Sequence, residues 1–264
     1  MRSHFKILAA RCAAAACFAL TGHAAMAVDG VVLIDQNKAL AGNVTPGDTP
    51  GFPVTITQAG SYRLSGNLTV PDANTSAIVI AADVVGVTID LNGFAIVGPT
   101  VCSGFPLTCS PSGTGNGVFT AGARAGTVRN GTVVGMGGTG VSMGGAGSSV
   151  ENVTATSNGG HGIYVALGTA THNRVIKNRL NGVLASNALI THTFASQNAG
   201  AGIGGNDSLF TQNTLVVNGG VGIAASNSAF LSNQFSSNNG GAANPQFNGR
   251  NAIGPNGCDG STCP

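Results

Sequence analysis

Few side chains in this 264-residue chain are equipped for chemistry, and their spacing restricts what that chemistry is. There are nine carboxylates in all, and between Asp90 and Asp207 the only one is Glu151. Glycoside hydrolysis ordinarily needs two carboxyl groups flanking the scissile bond. A calcium-assisted lyase needs several oxygens gathered around a hard cation. Neither set can be assembled from this stretch. What recurs instead is a polar position: Arg129, Glu151, His172, His192, Gln212 and Ser232 each stand one residue ahead of an Asn or its stand-in. Strand alternation would point this row outward along one face. There it is suited to holding a sugar chain or to moving a proton, although plain solvation asks for the same residue types. Lys177 and Arg179, with Arg174 close by, form the one basic cluster and suit a uronic-acid carboxylate. The candidate binding set is therefore Arg129, Glu151, His172, His192, Gln212, Lys177 and Arg179. The catalytic candidates are His172, His192 and Arg174. No metal set and no cofactor are expected.

Something has to hold these residues in line, and the chain is periodic. Units opening on Gly followed by Val or Ile begin at Gly117, Gly140, Gly162, Gly182, Gly202 and Gly222, at intervals of 23, 22, 20, 20 and 20 residues. Asn178, Asn198, Asn218 and Asn238 each fall 16 residues after an opening Gly; Asn173, Asn213 and Asn233 fall 11 after, with Thr193 standing in once. About 20 residues suffice for one triangular coil of three short strands and three turns, stacked on the next at about 4.8 Å. Equivalent positions then form columns. Buried Asn columns can hydrogen-bond up and down the stack, and Ile163, Val183, Ile203 and Ile223 should form one apolar column, with Ala170, Ile190, Phe210 and Phe230 another. Glycine is expected to supply positive φ at the corners. The predicted fold is all-β, a single-stranded right-handed parallel β-helix. Forty-two glycines and a low charged fraction of 8% fit many short strands with Gly/Asn turns.

The units Asn173-x-Val175-x-x-Asn178 and Asn213-x-Leu215-x-x-Asn218, each leading into a Gly-Ile/Val start, resemble the repeat of pectin-lyase-like right-handed β-helix proteins. The stretches 55–64 and 87–93 resemble the early coils of bacterial β-helix proteins. The resemblance spans roughly residues 54–240 and implies a fold more than a function, since that scaffold hosts lyases, hydrolases, epimerases and adhesins alike. Gly160-His161-Gly162 with Arg174 and Lys177 is also similar to polygalacturonase elements. However, Arg174-Val175-Ile176-Lys177 is one residue too long, and the acid/base aspartates of that family have no counterparts, so His161 reads as a turn residue.

The remaining segments frame the repeat. Arg2, Lys6 and Arg11, an apolar stretch and Ala25-Met26-Ala27 predict an export signal over residues 1–27, with the mature chain starting at Val28. Without that segment eight cations face nine carboxylates, a net charge of about −1, which gives no field to concentrate nucleic acid. No membrane span is expected in the mature part. Residues 28–53 read as an N-terminal cap with a short helix near 35–41, residues 99–116 as a loop excursion, and residues 241–264 as a C-terminal tail or cap. In an exported chain Cys102–Cys109 and Cys258–Cys263 are expected as local disulfides. The expectation for function is a periplasmic, cell-surface or extracellular β-helix that binds glycans non-catalytically, or acts as an adhesive or structural module. The alternative is a metal-independent polysaccharide lyase or epimerase acting on an anionic glycan.

Overall fold

The structure, a computed structural model, describes residues 30–122, 125–249, 254–259 and 261–262. The expected export signal and the Val28 start lie outside the described residues, as does Cys263 of the second expected disulfide.

Short segments of alternating β-branched and polar residues form strands mostly of three or four residues, and each pairs in parallel with its equivalent in the next coil. The first face is a nine-stranded parallel sheet running from Val54–Ile56 through Ile163–Ala166, Val183–Ser186, Ile203–Asn206 and Ile223–Ser226 to Phe247–Asn248. The second face carries Thr169–Thr171, Leu189–Thr191, Leu209–Thr211 and Ala229–Leu231. The third carries Arg174–Ile176, Phe194–Ser196, Thr214–Val216 and Gln234–Ser236. Two longer strands, Gly126–Val134 and Ser149–Thr156, turn the corner between these faces without a break and join them into one 17-stranded sheet. The chain is a right-handed parallel β-helix.

Its core consists of columns. Ile163, Val183, Ile203 and Ile223 stack in register, as do Ala170, Ile190, Phe210 and Phe230, and all eight are fully buried. The two asparagine columns are buried beside them. Asn218 Nδ2 donates to Ala195 O at 3.0 Å and to Asn238 Oδ1 at 2.8 Å, and Asn238 Oδ1 also accepts from Asn218 N. Asn213 makes the same set with Ile190 O and Asn233. Each coil thus satisfies polar groups that would be costly to bury unpaired.

Glycine makes corners in the earlier coils, as at Gly135 and Gly147 with φ 71 and 81°; from Leu167 to Ser237 it does not. Three columns of left-handed residues do, and they are mostly not glycine: Leu167, Asn187, Asp207 and Asn227; His172, His192, Gln212 and Ser232; and Lys177, Gln197, Val217 and Ser237, all with φ between 47 and 57°. The opening glycines serve space instead. A Cβ on Gly182 would lie 2.6 Å from Gly202 O and 2.7 Å from Asn198 Nδ2, and one on Gly202 would lie 2.8 Å from Gly222 O. The Asn ladder crosses there, so nothing larger than hydrogen fits.

The ends of the solenoid are closed by chain from both flanks. Val32–Ile34 already pairs in parallel with Tyr62–Leu64, so the sheet begins ahead of residue 54. Asp35 caps the helix Gln36–Ala41, and the Asp48 carboxylate accepts from Val44 N and Thr55 N. At the other end Phe247 pairs with Ile223, and Gly257 with Gln234. The 99–116 excursion is an antiparallel hairpin, Val101–Ser103 with Thr108–Ser110, cross-linked by a Cys102–Cys109 disulfide between directly opposed residues.

Candidate functional site

The corner between the second and third faces carries the imidazoles. His172 and His192 occupy equivalent left-handed positions one coil apart, and their exposed rings stack with centroids 4.8 Å apart and planes 10° from parallel. In each, Nδ1 is 2.9 Å from the Oγ1 of the preceding threonine, Thr171 or Thr191. That contact fixes the ring and leaves Nε2 for a ligand. Gln212 and Ser232 continue the column.

The expected single row is in fact two columns. Arg129 and Glu151 are opposite each other and in register with Thr171, not with His172. In these coils Asn130 and Asn152 are themselves the left-handed corner residues, φ 61 and 52°. The inward place falls to Gly131 and to Val153, whose N–H donates to Asn173 Oδ1. Arg129 and Glu151 therefore stand one position earlier, on the second face. Both are occupied: Arg129 Nε lies 3.3 Å from Asp90 Oδ2 as an ion pair without hydrogen-bond alignment, and Glu151 Oε1 accepts from Ser149 Oγ at 2.6 Å. Asp90 also accepts from Asn92 N at 2.9 Å, a turn role.

Beyond the imidazole corner, the third face opens with Arg174, exposed, its Cζ 5.5 Å from the centre of the Phe194 ring in the next coil. Thr214 and Gln234 extend this outward column. A recess of about 370 Å³ lies at its far end, lined by Thr214, Val216, Gln234, Phe235, Ser236 and Asp259. Lys177 stands at the opposite edge of the face, on the corner leading to the first face, and Arg179 two residues on; both are exposed. The third face is thus a strip carrying one aromatic ring, Phe194, with imidazoles along one edge and a cation along the other. Phe194 escaped the reading of residue types, although strand alternation marks it as outward.

His161 does not join this strip. It is half-buried, its Nδ1 accepts from Asn181 N at 3.2 Å, and burial holds its pKa below the usual range. The role is structural. Among the described residues no three His, Cys, Asp or Glu side chains gather within reach of one metal ion, and no helix is long and apolar enough to cross a membrane.

A second concavity was not expected at all. The hairpin tip Phe105-Pro106-Leu107 overhangs Gln197, Asn198, Ala199, Gly219, Asn239 and Gly240 and encloses about 290 Å³.

Coils stacked on Asn columns, with polar groups gathered along one outer strip, define a parallel β-helix. More particularly, the chain belongs to the right-handed β-helix region family, which it matches over residues 109–254. Among solved structures it is similar to the enzymatically active domain of tailspike protein 2 from bacteriophage CBA120. The TM-score is 0.61 at 14% identity, covering 78% of this chain and 37% of that one. The Dettilon tailspike protein follows with a TM-score of 0.52 at 15% identity, covering 70% of this chain and 41% of that one. The A-module of the mannuronan C-5 epimerase AlgE4 from Azotobacter vinelandii overlaps at a TM-score of 0.46 and 18% identity, covering 72% of each chain. These identities express a shared fold, and this chain spans less than half the length of either tailspike. No curated protein matches it in sequence.

Proposed function

We propose that this protein acts on an anionic polysaccharide laid along the third face, as a metal-independent lyase or epimerase. The observation that carries the reading is the stacked pair His172–His192 beside Arg174 on its Phe194 platform. The chemistry such a set can supply is defined. The Arg174 guanidinium pairs with a uronate carboxylate and steadies the charge that develops on it. A neutral imidazole, His172 or His192, takes the proton from the carbon next to that carboxylate. The electron pair left behind either forms a double bond to the adjacent carbon and expels the glycosidic oxygen there, which takes a proton from the second imidazole or from water, giving an unsaturated chain end, or recovers a proton on the opposite face, giving the epimer. Lys177 and Arg179 would bind carboxylates further along the chain. An enzymatically active domain among the tailspikes of the same fold supports a working rather than passive solenoid, and an exported or surface location suits such a substrate.

A second reading, non-catalytic glycan binding, is favoured by the exposure of both imidazoles and by the engagement of the Glu151 carboxylate by Ser149. Incubation with pectate, alginate, hyaluronan and chondroitin separates the two. Ultraviolet absorbance reports unsaturated ends, and NMR reports epimerised residues. Turnover that falls about 10²–10⁴-fold in His172→Ala or His192→Ala supports the first reading. Retention in an affinity gel, with every polymer chemically unchanged, supports the second.

A further inference from the structure

We infer that the recess beneath the 101–110 hairpin is a subsite for one sugar ring of the same acidic chain, an inference that rests on the polysaccharide reading above. The hairpin is built to hold a position. Its disulfide lies across a directly opposed pair, Cys102 Sγ sits 3.8 Å from Asn158 O, and Thr100 Oγ1 donates to Pro111 O at 2.8 Å. From this anchor on the Asn158 coil the tip reaches the coils of Asn198, Gly219 and Asn239. Phe105 is 73% exposed, more than any other large apolar side chain among the described residues.

The floor makes room under that tip. Equivalent positions in successive coils are Arg179, Ala199, Gly219 and Asn239, so side chains shrink where the hairpin passes over. The enclosed volume of about 290 Å³ is at the small end of the ~300–1,000 Å³ typical of ligand pockets. That suits a single ring better than a chain. Its walls combine Phe105, Pro106, Leu107 and Ala199 with the Gln197 amide, which makes no hydrogen bond within the protein among the described residues, and with Asn239. An apolar wall with a few convergent amides matches a pyranose, which has a C–H face and a hydroxyl rim. Charge selects the kind of sugar. Lys177 precedes Gln197 by one coil in the same corner column, and Arg179 precedes Ala199. Two cations therefore lie one coil from the recess, which favours a sugar of a uronate polymer as its occupant.

The test titrates the mature full-length chain with a short oligogalacturonide and with a methyl uronoside, following heat and the Gln197 side-chain amide by NMR. Phe105→Ala, at an exposed tip, should leave the thermal midpoint unchanged and raise Kd for the oligomer about tenfold. Gln197→Ala should weaken it several-fold in the same direction. Both sugars should shift the Gln197 amide. If Phe105→Ala and Gln197→Ala bind like the wild type while Arg174→Ala loses affinity, the subsite is overturned and the polysaccharide reading stands. If Arg174→Ala is silent while the uronoside still shifts the Gln197 amide, the subsite stands and the third-face reading falls. A Gln197 amide that responds to an apolar peptide or a detergent monomer, and to neither sugar, overturns the subsite.

Discussion

Val217 has φ 54°, in the left-handed region, where a residue with a Cβ pays about 1–2 kcal/mol and a β-branched one fits worst. Its column neighbours Lys177, Gln197 and Ser237 share the conformation because the corner demands it in every coil. Asparagine tolerates that region far better, so Val217→Asn should stabilise the protein by about 1 kcal/mol, read as a higher denaturant midpoint at unchanged slope. A lower midpoint would mean that the packing of the Val217 side chain outweighs the backbone cost. His161 supplies a second residue-level test. Burial depresses its pKa, so in the folded chain the ring stays neutral at a pH where the unfolded chain, titrating near ~6.5, already binds a proton. The unfolded state then binds more protons, and stability present above about pH 6.5 is lost as the pH falls toward the folded pKa. Unfolding free energy should drop more steeply on acidification in the wild type than in His161→Gln. Parallel curves would show that this ring titrates alike in both states.

The asparagine ladders explain why the elements stack in one register. Replacing Asn213 or Asn218 by Leu keeps the bulk and removes the amide, which orphans a backbone carbonyl, Ile190 O or Ala195 O, and the backbone N–H of the preceding coil, Thr193 N or Asn198 N, that donated to its Oδ1. The expected cost is roughly 1–3 kcal/mol per site. Gln212, exposed at the corner beside Asn213, should tolerate Leu within about 0.5 kcal/mol. Denaturant melts of the three variants check the register, and a destabilising Gln212→Leu with a silent Asn213→Leu would refute it. This part of the fold was legible in the sequence because each 20-residue coil repeats the same demand at the same offset. The earlier coils were misread for a physical reason. Asn is fit both for a buried ladder and for an exposed left-handed corner, so Asn130 and Asn152 looked like ladder members while serving as corners. That ambiguity moved Arg129 and Glu151 into line with the imidazoles. The opening glycines misled in a similar way, since a glycine needed for positive φ and one needed for close approach look alike until the Asn198 amide is seen beside Gly182. That His172 and His192 share one column followed from their 20-residue spacing. The reach of the 101–110 hairpin did not, because it depends on contacts across several coils that no local pattern records.

For the molecule as a whole, a stack of parallel coils leaves an open edge and an unfinished Asn column at each end unless other residues complete them. At the C-terminal end two side chains do so. Gln246 Oε1 accepts from Asn238 N and Nδ2, and its Nε2 donates to Asn238 O, Gly241 O and Asn244 O. Asn256 Oδ1 accepts from Asn233 N and Nδ2, and its Nδ2 donates to Phe230 O. The same segment covers the last apolar layer, with the Phe247 ring 5.1 Å from Phe230 and 5.6 Å from Phe235. Its backbone closes the sheets, Gln246 O accepting from Gly222 N and Pro255 O from Ser232 N. A chain ending at residue 240 would expose all of this at once: two truncated ladders, two phenylalanines and a row of unpaired edge groups. It should therefore self-associate at concentrations where the full chain does not, by light scattering, and lose amide protection in residues 222–238 while keeping it in the coils around Ile89 and Val128. The double variant Gln246→Ala, Asn256→Ala separates the causes, since it removes the ladder ends and leaves the phenylalanine cover and edge pairing in place. It should lower the melting temperature without promoting association. A truncated chain that remained monodisperse with unchanged exchange in 222–238 would show that the coils end stably on their own, and the role assigned to Gln246 and Asn256 would be wrong.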